Sequence, residues 1–186
     1  MPRWTNIFLI LLLLPLLLIP FILIAICIKV TSPGPVIHWS TRVGAMNILF
    51  KMPKFRTMRI DTPIIPTHLM KEPNKYITPL GRILRLTSLD ELPQIASILE
   101  GSMAIVGPRP ALFNQDDLVA LRTSSGIHEL VPGITGWAQI QGRDELPIPE
   151  KVELDGYYML HRSFCFDLKI IWLTLFAVFK SKDVSH

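Results

Sequence analysis

The chain has 186 residues, of which 49% are hydrophobic and 18% charged, with a formal net charge of +4. Its length suits one hydrophobic core, and mild positive charge on so apolar a composition points to an anionic membrane surface or phosphorylated ligands and away from nucleic acid. Two cysteines, Cys27 and Cys165, exclude a disulfide framework or a cysteine-based metal site, and the histidines His38, His68, His128, His161 and His186 lack ligand spacing.

Residues 7–28 form an apolar run of about 22 residues, long enough to cross roughly 30 Å of hydrocarbon. Lys29-Val30-Thr31 offers no small-x-small cleavage site, so the segment is expected to stay attached. Pro15 and Pro20 each remove a helical hydrogen bond and clash with the preceding turn, which predicts a bend. Arg3 precedes the run, and Lys29, Arg42, Lys51, Lys54 and Arg56 follow it, so both flanks look cytoplasmic. A helix that enters and returns on one face satisfies both flanks; a straight span satisfies one.

Beyond a Ser32-Pro33-Gly34-Pro35 turn, residues 36–39 read as a strand that pairs with 48–50 and 54–58 in a small antiparallel unit. Residues 61–79, with Pro63, Pro66, Pro73 and Pro79, read as a loop over a site. Helices are expected over 80–86, over 93–99 with Gly101 as its stop, and over 116–123. Residues 131–143 read as a hairpin, or as a glycine-rich stretch whose amides approach a phosphate with Arg143 adding a cation. Residues 166–180 are apolar nearly all round, to be packed as core or laid in a membrane interface. The fold class is α+β, mostly helical with a small antiparallel β element.

The chemistry concentrates in Thr87-Ser88-Leu89-Asp90-Glu91-Leu92-Pro93, followed by Val106-Gly107-Pro108-Arg109-Pro110. Ser88 and Glu91 match a capping box, a purely structural use of the acidic pair. A carboxylate near helix amides and cations also has a depressed pKa, which would leave Asp90 ionised and able to attack phosphorus, with Arg85, Arg109, Lys54 and Arg56 supplying the cations. An anionic nucleophile approaching an anionic phosphorus calls for Mg²⁺ and arginine, and Mg²⁺ needs only one or two carboxylates.

The ordered motifs Ser-Pro-Gly-Pro-Val (32–36), Arg-Val-Gly (42–44), Lys-Phe-Arg-Thr-Met (54–58), Ser-Leu-Asp-Glu-Leu-Pro-Gln (88–94), Val-Gly-Pro-Arg-Pro (106–110) and Pro-Gly-Ile-Thr-Gly-Trp-Ala-Gln (132–139) resemble the bacterial sugar transferases. These are the monotopic polyprenyl-phosphate phosphoglycosyl transferases, and the chain looks like their minimal catalytic form. It departs from the family pattern at Ser40, Ser102 and Val131.

The resemblance implies transfer of a phosphosugar from a UDP-sugar to polyprenyl (undecaprenyl) phosphate through an aspartyl intermediate, with release of UMP. It makes Asp90 the nucleophile, Glu91 its assisting base, and both of them ligands of Mg²⁺. Arg109 and Arg85, with Lys54, Arg56 and Arg143, would bind substrate phosphates, while Asp155, Gly133, Thr135 and Gln139 take supporting roles. It further implies a re-entrant membrane helix over 1–30, bent at Pro15 or Pro20, and a catalytic domain over 31–186 on the cytoplasmic face of the bacterial inner membrane. Membrane lipid is an expected partner, and a homodimer is compatible with the resemblance.

Overall fold

The structure, a computed structural model, describes residues 1–62, 72–142 and 146–180. It is mostly helical. The long apolar helix α1 spans Arg3–Thr31, with Pro15 and Pro20 inside it. Its first turns are buried at Thr5, Asn6 and Ile10, and its last at Ile28. Arg3 donates to the Glu100 carbonyl at 3.2 Å, and the Ile105 amide donates to Asn6 Oδ1 at 3.0 Å.

Ile10 joins a cluster with Met52, Ile98 and Met103, whereas Ile28 joins Phe55 and Leu84. Met52 and Phe55 are three residues apart on one strand, roughly 10 Å, yet a straight helix would hold Ile10 and Ile28 roughly 27 Å apart. Between them, over residues 11–19, every residue but Leu17 is exposed, so this stretch leaves the body on all sides. Both ends return to one body, which is the shape expected of a helix that turns back at its prolines.

Strands β1 (Ile37–Val43) and β2 (Leu49–Phe55) pair antiparallel from Ile37 opposite Phe55 to Val43 opposite Leu49. The two short strands expected at 48–50 and 54–58 are thus one, with Pro53 inside it. In a two-stranded sheet each strand is an edge, so the missing proline N–H faces no partner strand.

Helix α2 (Pro79–Leu86) starts as its sequence suggests: Thr78 Oγ1 accepts from the Gly81 amide at 2.9 Å, and Pro79 occupies the first turn. The helix expected at 93–99 begins earlier, as a 3-10 segment over Leu89–Gln94, and continues as α3 (Ile95–Glu100), stopped by Gly101 at φ +95°. The loop expected over 61–79 lies partly outside the described residues. Its described end carries a 3-10 turn at Pro73–Lys75.

The expected hairpin over 131–143 is not formed. Strand β4 (Gly133–Thr135) instead pairs parallel with β3 (Ala104–Val106), and α5 (Trp137–Gly142) follows. Trp137 and Ile140, three residues apart, both face the cluster of Val106, Ile127 and Tyr158, and that spacing is helical.

Helix α4 spans Asp116–Ser124, close to its expected bounds, and α6 (Ile148–His161) was not expected. In α7 (Phe164–Lys180), Ile170 and Asp167 are fully buried, while Phe164, Leu168, Trp172, Leu175 and Phe176 are exposed. One face is core and the other is an uncovered apolar ridge.

Candidate active site

A close approach positions the first cation. A Cβ on Gly81 would stand 2.1 Å from the Thr57 carbonyl oxygen, so α2 packs on the end of β2 only with glycine there. Arg85, one turn later on the same face, then donates from Nε to Thr57 Oγ1 at 2.9 Å.

Ser88 joins α2 to the 3-10 segment in a left-handed conformation, at φ 57°. It makes no side-chain capping bond, so the capping box read from the sequence does not exist. Leu89 and Leu92 pack against the Phe55, Ile28 and Leu84 cluster, and this pins the two acids between them. Glu91 Oε1 accepts from Lys54 Nζ at 2.7 Å and from Arg109 Nη1 at 3.4 Å.

Asp90 is 9% exposed, beside the charges of Lys54, Arg85 and Arg109. Among the described residues no hydrogen bond ends on its carboxylate. The depressed pKa expected for Asp90 is corrected: burial raises it, and Lys54, Arg85 and Arg109 only partly offset burial and the repulsion of Glu91. The depression falls on its neighbour. Burial alone would raise Glu91, but Arg109 and Lys54 outweigh it by charge and hydrogen bond and hold it at about 2. His38, opposite Lys54 across the sheet, is pushed below its ordinary value by burial and then by Lys54 and Arg42.

Three consecutive carbonyls fix the loop that carries Arg109. Pro108 O accepts from the Gly133 amide at 3.0 Å, Arg109 O from Arg122 Nη1 at 2.8 Å, and Pro110 O from Arg42 Nη1 at 3.3 Å. Arg122 is in turn held by Asp155, Nη2 to Oδ2 at 2.6 Å. Burial raises Asp155, and Arg122 opposes that rise.

Gly133, Thr135 and Gln139 brace that loop. The Thr135 carbonyl accepts from the Gly107 amide at 2.9 Å, its hydroxyl bonds Thr174, and Gln139 Nε2 donates to the Ile134 carbonyl. Arg143 lies outside the described residues. Arg56 is not in the cluster around Asp90: its Nη2 donates to the Ser32 carbonyl at 2.9 Å. Arg42, Arg122 and Thr57 were not singled out as site residues by the sequence, because each acts through a partner at least 13 positions away.

Among the described residues no group of three or more His, Cys, Asp or Glu is placed to hold a metal ion. The Asp90 carboxylate fits Mg²⁺ as an oxygen donor that no hydrogen bond occupies, and Glu91, engaged through Oε1, is a second. A dication beside Asp90 would reverse the penalty that burial places on its charge.

The chain is 41% identical to the UDP-glucose:undecaprenyl-phosphate glucose-1-phosphate transferase of Escherichia coli (strain K12), over 97% of this chain and 40% of that protein. It is 37% identical to the uncharacterized sugar transferase EpsL of Bacillus subtilis (strain 168), over 86% of this chain and 77% of that protein. It is 31% identical to the UDP-N-acetylgalactosamine-undecaprenyl-phosphate N-acetylgalactosaminephosphotransferase of Aeromonas hydrophila, over 93% of this chain and 42% of that protein. The chain thus spans about two fifths of the length of the first and third of these relatives. The family model described as Bacterial sugar transferase matches residues 1–181, with the acidic pair, the arginine loop and the apolar helix all inside the match, and the chain belongs to that family.

Proposed function

We propose that the protein transfers a phosphosugar from a UDP-sugar to polyprenyl phosphate, undecaprenyl phosphate in the relatives' names, in two displacements at one phosphorus. An Asp90 carboxylate oxygen attacks the sugar-bearing phosphorus, the P–O bond to the nucleotide breaks, and UMP leaves with the bridging oxygen. A phosphate oxygen of the acceptor then attacks the same phosphorus, the aspartyl bond breaks, and a polyprenyl diphosphate sugar results. The observation that carries this reading is the Asp90 carboxylate, mostly buried yet without a hydrogen bond among the described residues, beside Lys54, Arg85 and Arg109. Glu91, held ionised by Lys54 and Arg109, keeps those two cations aimed at the position the diphosphate would take.

Mg²⁺ bound by Asp90 and Glu91 would neutralise diphosphate charge, its remaining positions filled by phosphate oxygens and water. The helix α1 fits a re-entrant anchor, because both its ends pack on the catalytic body while residues 11–19 stand free. With basic residues on both flanks, this supports a monotopic protein on the cytoplasmic face of the bacterial inner membrane. A homodimer is also proposed.

The direct test incubates the protein with a panel of labelled UDP-sugars and Mg²⁺, without acceptor. A phosphosugar adduct on Asp90 with stoichiometric UMP is the expected result. An unmodified chain across the panel counts against the mechanism, and inorganic phosphate released from the lipid without a nucleotide sugar would indicate a phosphatase.

A further inference from the structure

Arg56 is 8% exposed, and of its guanidinium nitrogens only Nη2 has a partner, the Ser32 carbonyl at 2.9 Å. Nε and Nη1 are sealed from solvent with no hydrogen bond. No carboxylate of the described residues forms a salt bridge with it. The nearest acid in sequence, Asp61, is occupied by Arg59 through both oxygens, at 2.9 and 2.7 Å. A buried charge without a counter-charge is among the costliest features a fold can retain, and a planar fork with free donors is shaped for a phosphate.

Its place narrows the kind of phosphate. Ser32 closes α1, its amide donating to the Ile28 carbonyl at 3.0 Å, so the guanidinium sits where the apolar helix ends. Gly34 adopts φ +108°, and a Cβ there would stand 2.4 Å from both Arg56 Nη1 and Ile60 Cδ1. Only glycine lets the turn close this tightly on the guanidinium, and on that side its other cover is Ile60, an exposed side chain. Arg56 lies two residues past Lys54, roughly 7 Å along the extended chain, while Lys54 is engaged with Glu91. A phosphate held here would occupy a second anion position, at the end of α1 and separate from the cluster around Asp90.

We infer that Arg56, with the Ser32–Gly34 turn, seats the phosphate monoester of a lipid that stays in the bilayer, namely the polyprenyl phosphate acceptor. The identity of the lipid rests on the function proposed above. The division of labour is then explicit: Lys54, Arg85 and Arg109 face the nucleotide diphosphate at Asp90, and Arg56 receives the incoming acceptor at the end of α1.

The test titrates the full chain, in phosphatidylcholine nanodiscs and without any nucleotide sugar, with a short-chain polyprenyl phosphate. Parallel arms use the unphosphorylated polyprenol, phosphatidic acid, and inorganic phosphate alone. Because no donor is present, the result is independent of whether Asp90 is a nucleophile. The wild type is expected to prefer the polyprenyl phosphate over the polyprenol, and Arg56→Gln to weaken that binding roughly tenfold or more. Unchanged affinity in Arg56→Gln overturns the inference. Equal binding of phosphatidic acid overturns the acceptor assignment, and equal, Arg56-dependent binding of inorganic phosphate overturns the lipid assignment. Should a thermal scan show Arg56→Gln unfolded, Arg56→Lys carries the test: it keeps the charge and loses the fork, so unchanged affinity there overturns the inference and weakened affinity supports it.

Discussion

Arg122 grips Asp155 and the backbone of Arg109 with one guanidinium, Nη2 lying 2.6 Å from Asp155 Oδ2 and Nη1 lying 2.8 Å from the Arg109 carbonyl oxygen. A buried ion pair on α4 and α6 thereby fixes an arginine loop that neither helix carries.

Removing one member of that pair strands the other. Asp155→Ala is expected to cost about 3–5 kcal/mol in thermal or denaturant unfolding in detergent, since it leaves Arg122 buried and unpaired. Replacing both, as Arg122→Met with Asp155→Leu, should recover much of the stability. It should not recover UMP release, reduced roughly 10- to 100-fold by a mispositioned Arg109. Full activity in the stable double variant would refute the positioning role.

The two acids should respond oppositely to neutralisation. Burial penalises the Asp90 carboxylate, so Asp90→Asn is expected to raise the melting temperature while abolishing UMP release. Glu91→Gln removes a carboxylate that Lys54 and Arg109 stabilise and should lower the melting temperature. A stabilised and fully active Asp90→Asn protein would contradict the nucleophile assignment.

The same opposition sets the pH dependence. Glu91 falls from an ordinary 4.5 to about 2 on folding, so its contribution is fully present above 4.5 and is lost as pH falls toward 2. Asp90, raised on folding, contributes with the opposite sign: acid lifts its penalty. Melting temperatures from pH 3 to 6 should therefore decline less steeply toward acid in Glu91→Gln than in the wild type.

Glycine contacts behind the arginine loop should be intolerant of a methyl group. At Gly136 a Cβ would stand 2.1 Å from the Gly107 carbonyl oxygen, backbone that cannot move without displacing Arg109. Gly136→Ala is expected to reduce UMP release by about tenfold or more. At Gly126, with φ +74° and open space around it, alanine should cost only about 1–2 kcal/mol of backbone strain and leave activity intact.

Membrane topology is open to cysteine labelling. With Cys27 and Cys165 replaced by serine, single cysteines in place of Arg3 and of Ser40 should react with an impermeant reagent from the same side of sealed vesicles. Reaction from opposite sides would mean a spanning helix.

Several features were legible locally because their causes are local. The apolar run, the helix over 80–86, the Gly101 stop of α3 and the bounds of α4 follow from hydrophobicity, helical propensity and glycine chemistry within a few residues. The acidic pair and the arginine between two prolines stood out by type and spacing, and the ordered motifs carried the family resemblance.

What tertiary structure decided is everything that depends on partners far along the chain. The parallel pairing of Gly133–Thr135 with Ala104–Val106 turned an expected hairpin into a brace for the Arg109 loop. Lys54 and Arg109 chose Glu91 and left Asp90 without a hydrogen bond among the described residues, and burial reversed the pKa expected for it. A sequence shows which charges exist, but burial and distance decide their energies, and both are set only when distant segments pack together.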